Sequence, residues 1–430
     1  MNILIKNVKL LAEYGFEKRS ACVLVKDSRI AYVGEGEPAE KVDRVIDGRG
    51  NLLLPGFYNT HCHAAMTVFR GYGEDLPLDR WLNERIFPAE DRLTGRAAYL
   101  GSLVAAAEML AGGVVSFSDM YMFQDDVAKA VLESGMKANL SRCVVSFADM
   151  DDPRKDSRFQ EASRLVNELH GAEDGKILVD MSLHGEYTNT EQMFRAVAEY
   201  AKEKSLGIQV HISETKKEHE EAMARRGGRT PIELCLDTGV LDSRTIAAHC
   251  VWVNENDMDI MKEKGVFVSH NPISNLKLGS GVMDLGKMLD KEIHITLGTD
   301  GAASNNDLDI LSELQTAAIL HKGVNLDPER TRADKMIALA MSKAAQAQGR
   351  TDCGRIEVGY RADLVLWDLD AIHNIPSYDY AATVAYSAKS SDVLLTMVDG
   401  KVLYENGEYK TIDVEKLKYE AKELIEHYFD

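Results

Sequence analysis

Apolar and polar positions alternate along the first fifty residues. NILIKNVKLL, ACVLVKDSRIAYVG and DRVIDGRGNLLLPG each carry a period near two, punctuated by glycine and charged turns. That pattern predicts short strands of a small β-sheet rather than helices. From about Leu53 the texture changes, and apolar runs of strand length alternate with longer stretches of helical period. The runs are LLLPGFYNTHCH, GVVSFSDM, ANLSRCVVSF, ILVDMSLH, GIQVHIS, TIAAHCV, GVFVSHNP and HITLGTD. Eight strands, each followed by a helix over roughly 250 residues, match a (β/α)8 TIM barrel in number and order. An open doubly wound sheet fits less well, because no G-x-G-x-x-G follows the first run. Beyond the eighth run come helical segments (SELQTAAILHKG, ADKMIALAMSKAAQAQG), then RADLVLWDLD and SDVLLTMVDGKVLYENGEY return to strand texture. The two ends of the chain are therefore expected to form one small β-domain. The last stretch, VEKLKYEAKELIEHYF, has the i, i+3, i+4, i+7 spacing of an amphipathic helix packed on the body.

Composition narrows the partners. A chain of 430 residues exceeds one compact core, which agrees with a large domain plus an accessory one. Its net charge of −19 argues against nucleic acid or an anionic membrane and favours a small neutral or zwitterionic substrate. The six cysteines are scattered without a C-x-x-C pair, so free thiols in a reducing cytosol are expected. MNILIKNVKLL lacks the apolar core of a signal peptide, and no run approaches the ~20 apolar residues that span a bilayer. A cytoplasmic protein is the expectation.

The chemistry gathers where barrel strands end, at the C-terminal rim. Strand one ends in His61-Cys62-His63, and a spacing of two sends both imidazoles to the same face. Strand five carries His211, strand six His249 and strand eight Asp300. Any one of these histidines alone reads sooner as a hydrogen-bonded core residue. As a set on one rim they suit Zn²⁺ or Fe²⁺. His270 shares that rim position on strand seven. His170, His219, His294, His321, His373 and His427 fall in helical, loop or strand-entry positions that suit structural or solvent-facing roles. A divalent cation lowers the pKa of its water towards neutrality, and a hydrolase then needs a proton shuttle. Glu214, three residues beyond His211, is placed to shuttle protons, or alternatively to sit on a helix N-terminus where the dipole favours a carboxylate. Asp300 suits both metal ligation and acceptance of the water proton, and His249 suits a hydrogen bond to the developing intermediate. Strand four ends Ser182-Leu183-His184 with no lysine to bridge two ions, so a single metal is expected.

PGFYNTHCHAAMTVFRGYGEDLPLDRWL, HISET, AAHCVWV, VSHNPISNLKLGSG, LGTDGAASNNDLD and RIEVGYRADLVLWDLD together resemble the amidohydrolase superfamily, in its 5-methylthioadenosine/S-adenosylhomocysteine deaminase branch. The likeness runs over nearly the whole chain. It implies a barrel (residues 55–352) inserted into a β-sandwich made of residues 1–54 and 353–412, with a terminal helix at 413–430. It implies one divalent ion, Zn²⁺ first and Fe²⁺, Ni²⁺ or Mn²⁺ as alternatives, on His61, His63, His211 and Asp300. It implies hydroxide attack on C6 of an adenine-type ring, with Glu214 moving the proton, His249 beside the reacting carbon and ammonia leaving. Substrate-binding residues also follow. Trp81 matches an aromatic beside the purine or thioether, although ordinary helix packing accounts for it as well. Glu90 matches a carboxylate for the ribose hydroxyls, and Arg142 and Arg158 match partners for an amino-acid carboxylate. Arg158 also reads as a solvated surface arginine. His184 matches a pocket histidine, and Ser304 lies on a pocket-facing turn. Relatives suggest a homo-oligomer. One departure stands out: Gly185-Glu186-Tyr187 replaces a common Ser-Pro-Tyr. If Glu186 faces the pocket, it disfavours a substrate tail bearing a carboxylate. The competing readings are a deaminase or chlorohydrolase of another N-heterocycle (guanine, a pterin, an s-triazine) and a non-catalytic barrel scaffold.

Overall fold

Strands form where the sequence alternates. In the computed structural model, which describes residues 1–11, 20–426 and 428, β1 (Asn2–Val8), β2 (Ala21–Lys26), β3 (Arg29–Gly34) and β4 (Arg44–Asp47) make a four-stranded sheet in the order β3-β2-β1-β4. The readings of His427 and of positions 429 and 430 in the terminal helix lie outside the described residues. After β5 (Leu52–Pro55) the chain enters a parallel sheet: β6 (Phe57–His63), β7 (Val114–Tyr121), β8 (Lys137–Val144), β9 (Ile177–Val179), β10 (Met181–Leu183), β11 (Ile208–Ile212), β12 (Thr245–His249), β13 (Phe267–His270), β14 (His294–Leu297) and β15 (Asp300–Gly301). These carry the eight predicted runs, two of them in two pieces. β14 pairs with β13, while β15 pairs with β6 through Asp300 beside Cys62 and Gly301 beside His63. The sheet thus curls back to its first strand as an α/β barrel. The fourth run breaks at Asp180, whose buried carboxylate accepts from Asn139 (2.9 Å), Gly207 N (3.2 Å) and Gln209 (3.3 Å) and pairs with Arg244 (2.6 Å).

The C-terminal strands β16 (Leu364–Trp367), β17 (Val393–Val398), β18 (Lys401–Glu405) and β19 (Glu408–Tyr409) take up β5, giving a second sheet in the order β19-β18-β17-β16-β5. Ile3, Ile5, Val23 and Val25 of the first sheet share one apolar cluster with Leu53, Leu364, Leu366, Leu395 and Met397 of the second. The barrel has its own larger core. Beneath it, the buried Lys137 ammonium lies between Asp363 (2.6 Å) and Asp399 (2.8 Å), and Tyr58 donates to Asp363 (2.6 Å). This ties β6 and β8 to the C-terminal segment. Helix Val414–Glu426 lies on helix Gly95–Ala111, with Leu417 buried and Arg96 paired to Glu420 at 2.8 Å. The six cysteines are unpaired and buried. Among the described residues no helix is long and apolar enough to cross a membrane.

Candidate active site

The strand-end histidines converge. Rings of His61, His63, His211 and His249 lie with centroids 4.8–5.4 Å apart at the rim. Backbone carbonyls fix two of them. His63 Nδ1–H donates to Met120 O and His211 Nδ1–H to His184 O, both at 2.6 Å, which turns their Nε2 lone pairs inward, 3.4 Å apart. Asp300 Oδ1 lies 3.2 Å from His63 Nε2 and 3.5 Å from His61 Nε2. Burial acts to raise the Asp300 pKa, but the His61 and His63 imidazoles outweigh it and hold the carboxylate well below its usual range. Its Oδ2 is occupied by the Ser274 and Ser304 hydroxyls, each at 2.7 Å.

His61 Nε2 is fully buried with no hydrogen-bond partner among the described residues. An orphaned imidazole nitrogen is costly unless something accepts its lone pair. A cation among the Nε2 atoms of His61, His63 and His211 and Asp300 Oδ1 removes that cost, so the residues fit a divalent metal. Potential donor atoms of His61, His63 and His211, and of His61, His249 and Asp300, lie within 4.8 Å of one another in each set.

His249 is oriented differently. Its Nδ1 accepts N–H from Asn275 (2.9 Å) and Asn271 (3.3 Å), so the ring proton sits on Nε2, directed at Glu214 Oε2 3.7 Å away. Asn271 is itself set by Ser269, whose hydroxyl donates to its Oδ1 at 3.3 Å. Burial drives the His249 pKa down to about 3, so the ring is a neutral donor rather than a cation. Glu214 is buried, and its pKa is raised well above the ordinary value by desolvation, then by the charges of Asp300 and Glu218. Ser280 Oγ donates to its Oε1 at 3.1 Å. The backbone at Ser213 (φ 48°), His249 (φ 73°) and Asp300 (φ 63°) is left-handed, strain held where strands deliver these groups.

A cavity of about 390 Å³ opens over this cluster. His63, His211, Glu214, His249 and Asp300 line its floor, and Trp81, Glu90, Arg142, Arg158 and His184 line its sides. Trp81 lines the cavity and also packs with Phe69 and Ile86. It ends the short helix Leu78–Trp81, which passes through a π-helical turn, Leu82–Ile86, into helix Phe87–Glu90. Such turns recur at functional sites. Tyr121 donates to Glu90 at 2.5 Å, and burial raises the Glu90 pKa. Arg142 is braced by Glu161 (2.6 Å) and Cys143 O (2.7 Å), whereas Arg158 is exposed at the mouth. Burial lowers His184 to about 4.

The packing turns three residues away from the cavity. Ser304 does not line the cavity, because its hydroxyl is engaged by Asp300. Glu186 is turned away from it, held by Arg225 (2.6 Å) and Arg226 (2.5 Å). His270 faces His321 at 3.0 Å instead of joining the ligand cluster. Sequence reasoning did not single out Asn271, Asn275, Ser274, Ser280 or Glu218. Glu218 carried a local signal, the T-x-x-E pattern of Thr215 to Glu218, and the other four lie within the VSHNPISNLKLGSG segment that carries the resemblance.

The model of the amidohydrolase family matches residues 52–403. The chain is 42% identical over 422 residues to the 5-methylthioadenosine/S-adenosylhomocysteine deaminase of Dictyoglomus thermophilum, covering 98% of both chains. It is 40% identical over 428 residues to the 5'-deoxyadenosine deaminase of Methanosarcina acetivorans, covering 99% of this chain and 98% of the other. Its fold is similar to that of an adenosine deaminase from Xanthomonas campestris solved with bound zinc, at a TM-score of 0.91 and 30% identity, over 99% of this chain and 98% of that one.

Proposed function

The chain belongs to the amidohydrolase family, and from that premise we propose that it is a metal-dependent hydrolytic deaminase of an adenosine-type nucleoside. The substrates are 5-methylthioadenosine, S-adenosylhomocysteine or a 5'-deoxyadenosine-like nucleoside, by likeness to the named relatives. Water adds at C6, the bond from C6 to its amino nitrogen breaks, and the products are the 6-oxo purine nucleoside and ammonia. The observation that carries this reading is the pairing of a buried, high-pKa Glu214 with a neutral His249 Nε2–H over the imidazole cluster.

His61, His63 and His211 through Nε2 and Asp300 through Oδ1 would hold one divalent cation, with zinc first among Zn²⁺, Fe²⁺, Ni²⁺ and Mn²⁺ for such donors. When bound, it brings the pKa of a water near neutrality and so supplies hydroxide. Asp300 would take the remaining proton of that water and return it to the amino nitrogen, which then leaves as ammonia. Glu214, whose burial favours its protonated form, would deliver a proton to the ring nitrogen beside C6 and regain the one released by the water. His249 Nε2–H stabilises the oxygen as charge builds on it. We assign Glu90, backed by Tyr121, to the ribose hydroxyls, His184 and Trp81 to the nucleoside walls, and Arg142 and Arg158 to a carboxylate tail. Because Glu186 is spent on Arg225 and Arg226, it does not oppose such a tail. We assign Ser304 to Asp300 rather than to substrate. The two-sheet unit of residues 1–54 and 353–412 is read as a β-sandwich around the barrel of 55–352, followed by the helical segment 413–430, in a cytoplasmic and homo-oligomeric enzyme.

Ammonia release across a panel of adenosine derivatives, guanine, a pterin and an s-triazine tests the reading. Turnover confined to adenosine derivatives is expected. Turnover of another ring, with adenosine derivatives inert, overturns it.

A further inference from the structure

We propose that Glu218 is a positioning residue for Glu214: its carboxylate grips the backbone at the end of β11 and thereby sets where the proton-carrying side chain stands. This rests on the deaminase reading above. β11 ends at Ile212, and the next residue, Ser213, takes a left-handed φ of 48° that no favourable torsion of its own sustains. Glu218 supplies the hold. Its Oε1 accepts from Ser213 N at 3.1 Å and its Oε2 from Glu214 N at 2.8 Å. Glu218 is the third residue of helix Lys216–Arg225, whose N-cap, Thr215, accepts from Glu218 N at 3.1 Å. In a common capping box a glutamate at that position reaches back to the cap residue. Here it also reaches past the cap, to the two residues that turn the chain into the cavity. The same helix adds a second grip, His219 Nδ1 lying 3.1 Å from Ser213 Oγ.

The consequence is geometric. Glu214 meets Ser280 and His249 only while the Ser213–Glu214 backbone is fixed, and a misplacement of about 1 Å in a catalytic group costs on the order of a hundredfold in rate. Glu218 is 7% exposed and does not line the cavity, so it acts through Glu214 and not on substrate.

The test uses the metal-loaded full chain and 5-methylthioadenosine. Glu218→Gln has one acceptor oxygen, and its amide N–H₂ opposes the other backbone N–H. A fall in kcat of about a hundredfold is expected, with KM within about threefold and metal content unchanged. Added to Glu214→Gln, the same substitution should leave the residual kcat within about twofold, because the group being positioned is already disabled. If Glu218→Gln does not fold and bind metal, Glu218→Asp carries the test, since it keeps the charge and retracts the acceptor by one methylene. Near-normal kcat in these variants, or an equal loss in the Glu214→Gln background, overturns the proposal. A wild-type enzyme inert on every adenosine derivative overturns the deaminase reading, and this inference with it.

Discussion

Glu214 and His249 face each other across 3.7 Å, the first with its pKa raised well above the usual carboxyl value and the second held neutral. Burial produces both states, by penalising charge on either group. Glu214→Gln keeps the shape and loses the transferable proton, so it should retain metal while kcat falls about 10²–10⁴-fold; metal analysis beside an ammonia assay checks both. Ser274 and Ser304 make a separate point. Each donates to Asp300 Oδ2, and loss of such a partner commonly costs about 10–100-fold in metal affinity. Ser304→Ala should therefore weaken metal retention against a competing chelator. A change in KM with metal affinity intact would return Ser304 to the substrate side.

The elements around the cavity are braced from a distance. Tyr428 stacks edge-on against Phe69 (5.5 Å) and donates to Ala89 O (3.1 Å), next to Glu90 on the segment that also carries Trp81. The end of the chain is thus coupled to the wall assigned to the nucleoside. A hydrogen bond and an aromatic pair are each worth about 0.5–1.5 kcal/mol. Tyr428→Ala should raise KM about three- to tenfold with kcat little changed, and steady-state kinetics on the nucleoside reads this directly. An unchanged KM would show that the wall stands without the brace.

At the scale of the molecule, one buried cation joins the barrel to the C-terminal sheet. Lys137 bridges Asp363 and Asp399, and removing it leaves the buried Asp363 carboxylate without a cation, while Asp399 keeps Arg361 at 3.4 Å. Lys137→Met should cost about 3–5 kcal/mol in a urea titration. Burial acts against charge on both partners, yet the Lys137 pKa is raised and that of Asp363 lowered by their attraction. The lysine contribution is full below its unfolded value of 10.5 and is lost as pH rises through the higher folded value. The Asp363 contribution is full above its unfolded value of 3.8 and is lost as pH falls through the lower folded value. Melting temperatures across pH should show a plateau between these limits that Lys137→Met lowers. Metal removal acts on the whole as well: a chelator should abolish ammonia release and lower the melting temperature, and divalent ion should restore both.

The sequence by itself determined the strands, their order and the residues that gather at the strand ends. Period-two patterning is a local property, and His61, His63, His211 and Asp300 lie at the ends of runs readable one at a time. It also delimited the ends of the chain that meet in the paired sheets. What only the tertiary structure decided were directions and partners across distant segments. Glu186 was conspicuous in sequence, but its orientation depends on Arg225 and Arg226, about forty residues on. The proton on His249 is assigned by Asn271 and Asn275, at the cap and within the short helix after the next strand, and the Ser304 hydroxyl is engaged by Asp300. The physical reason is that hydrogen bonds and desolvation act between groups brought together by packing, and neither leaves a periodic trace along the chain.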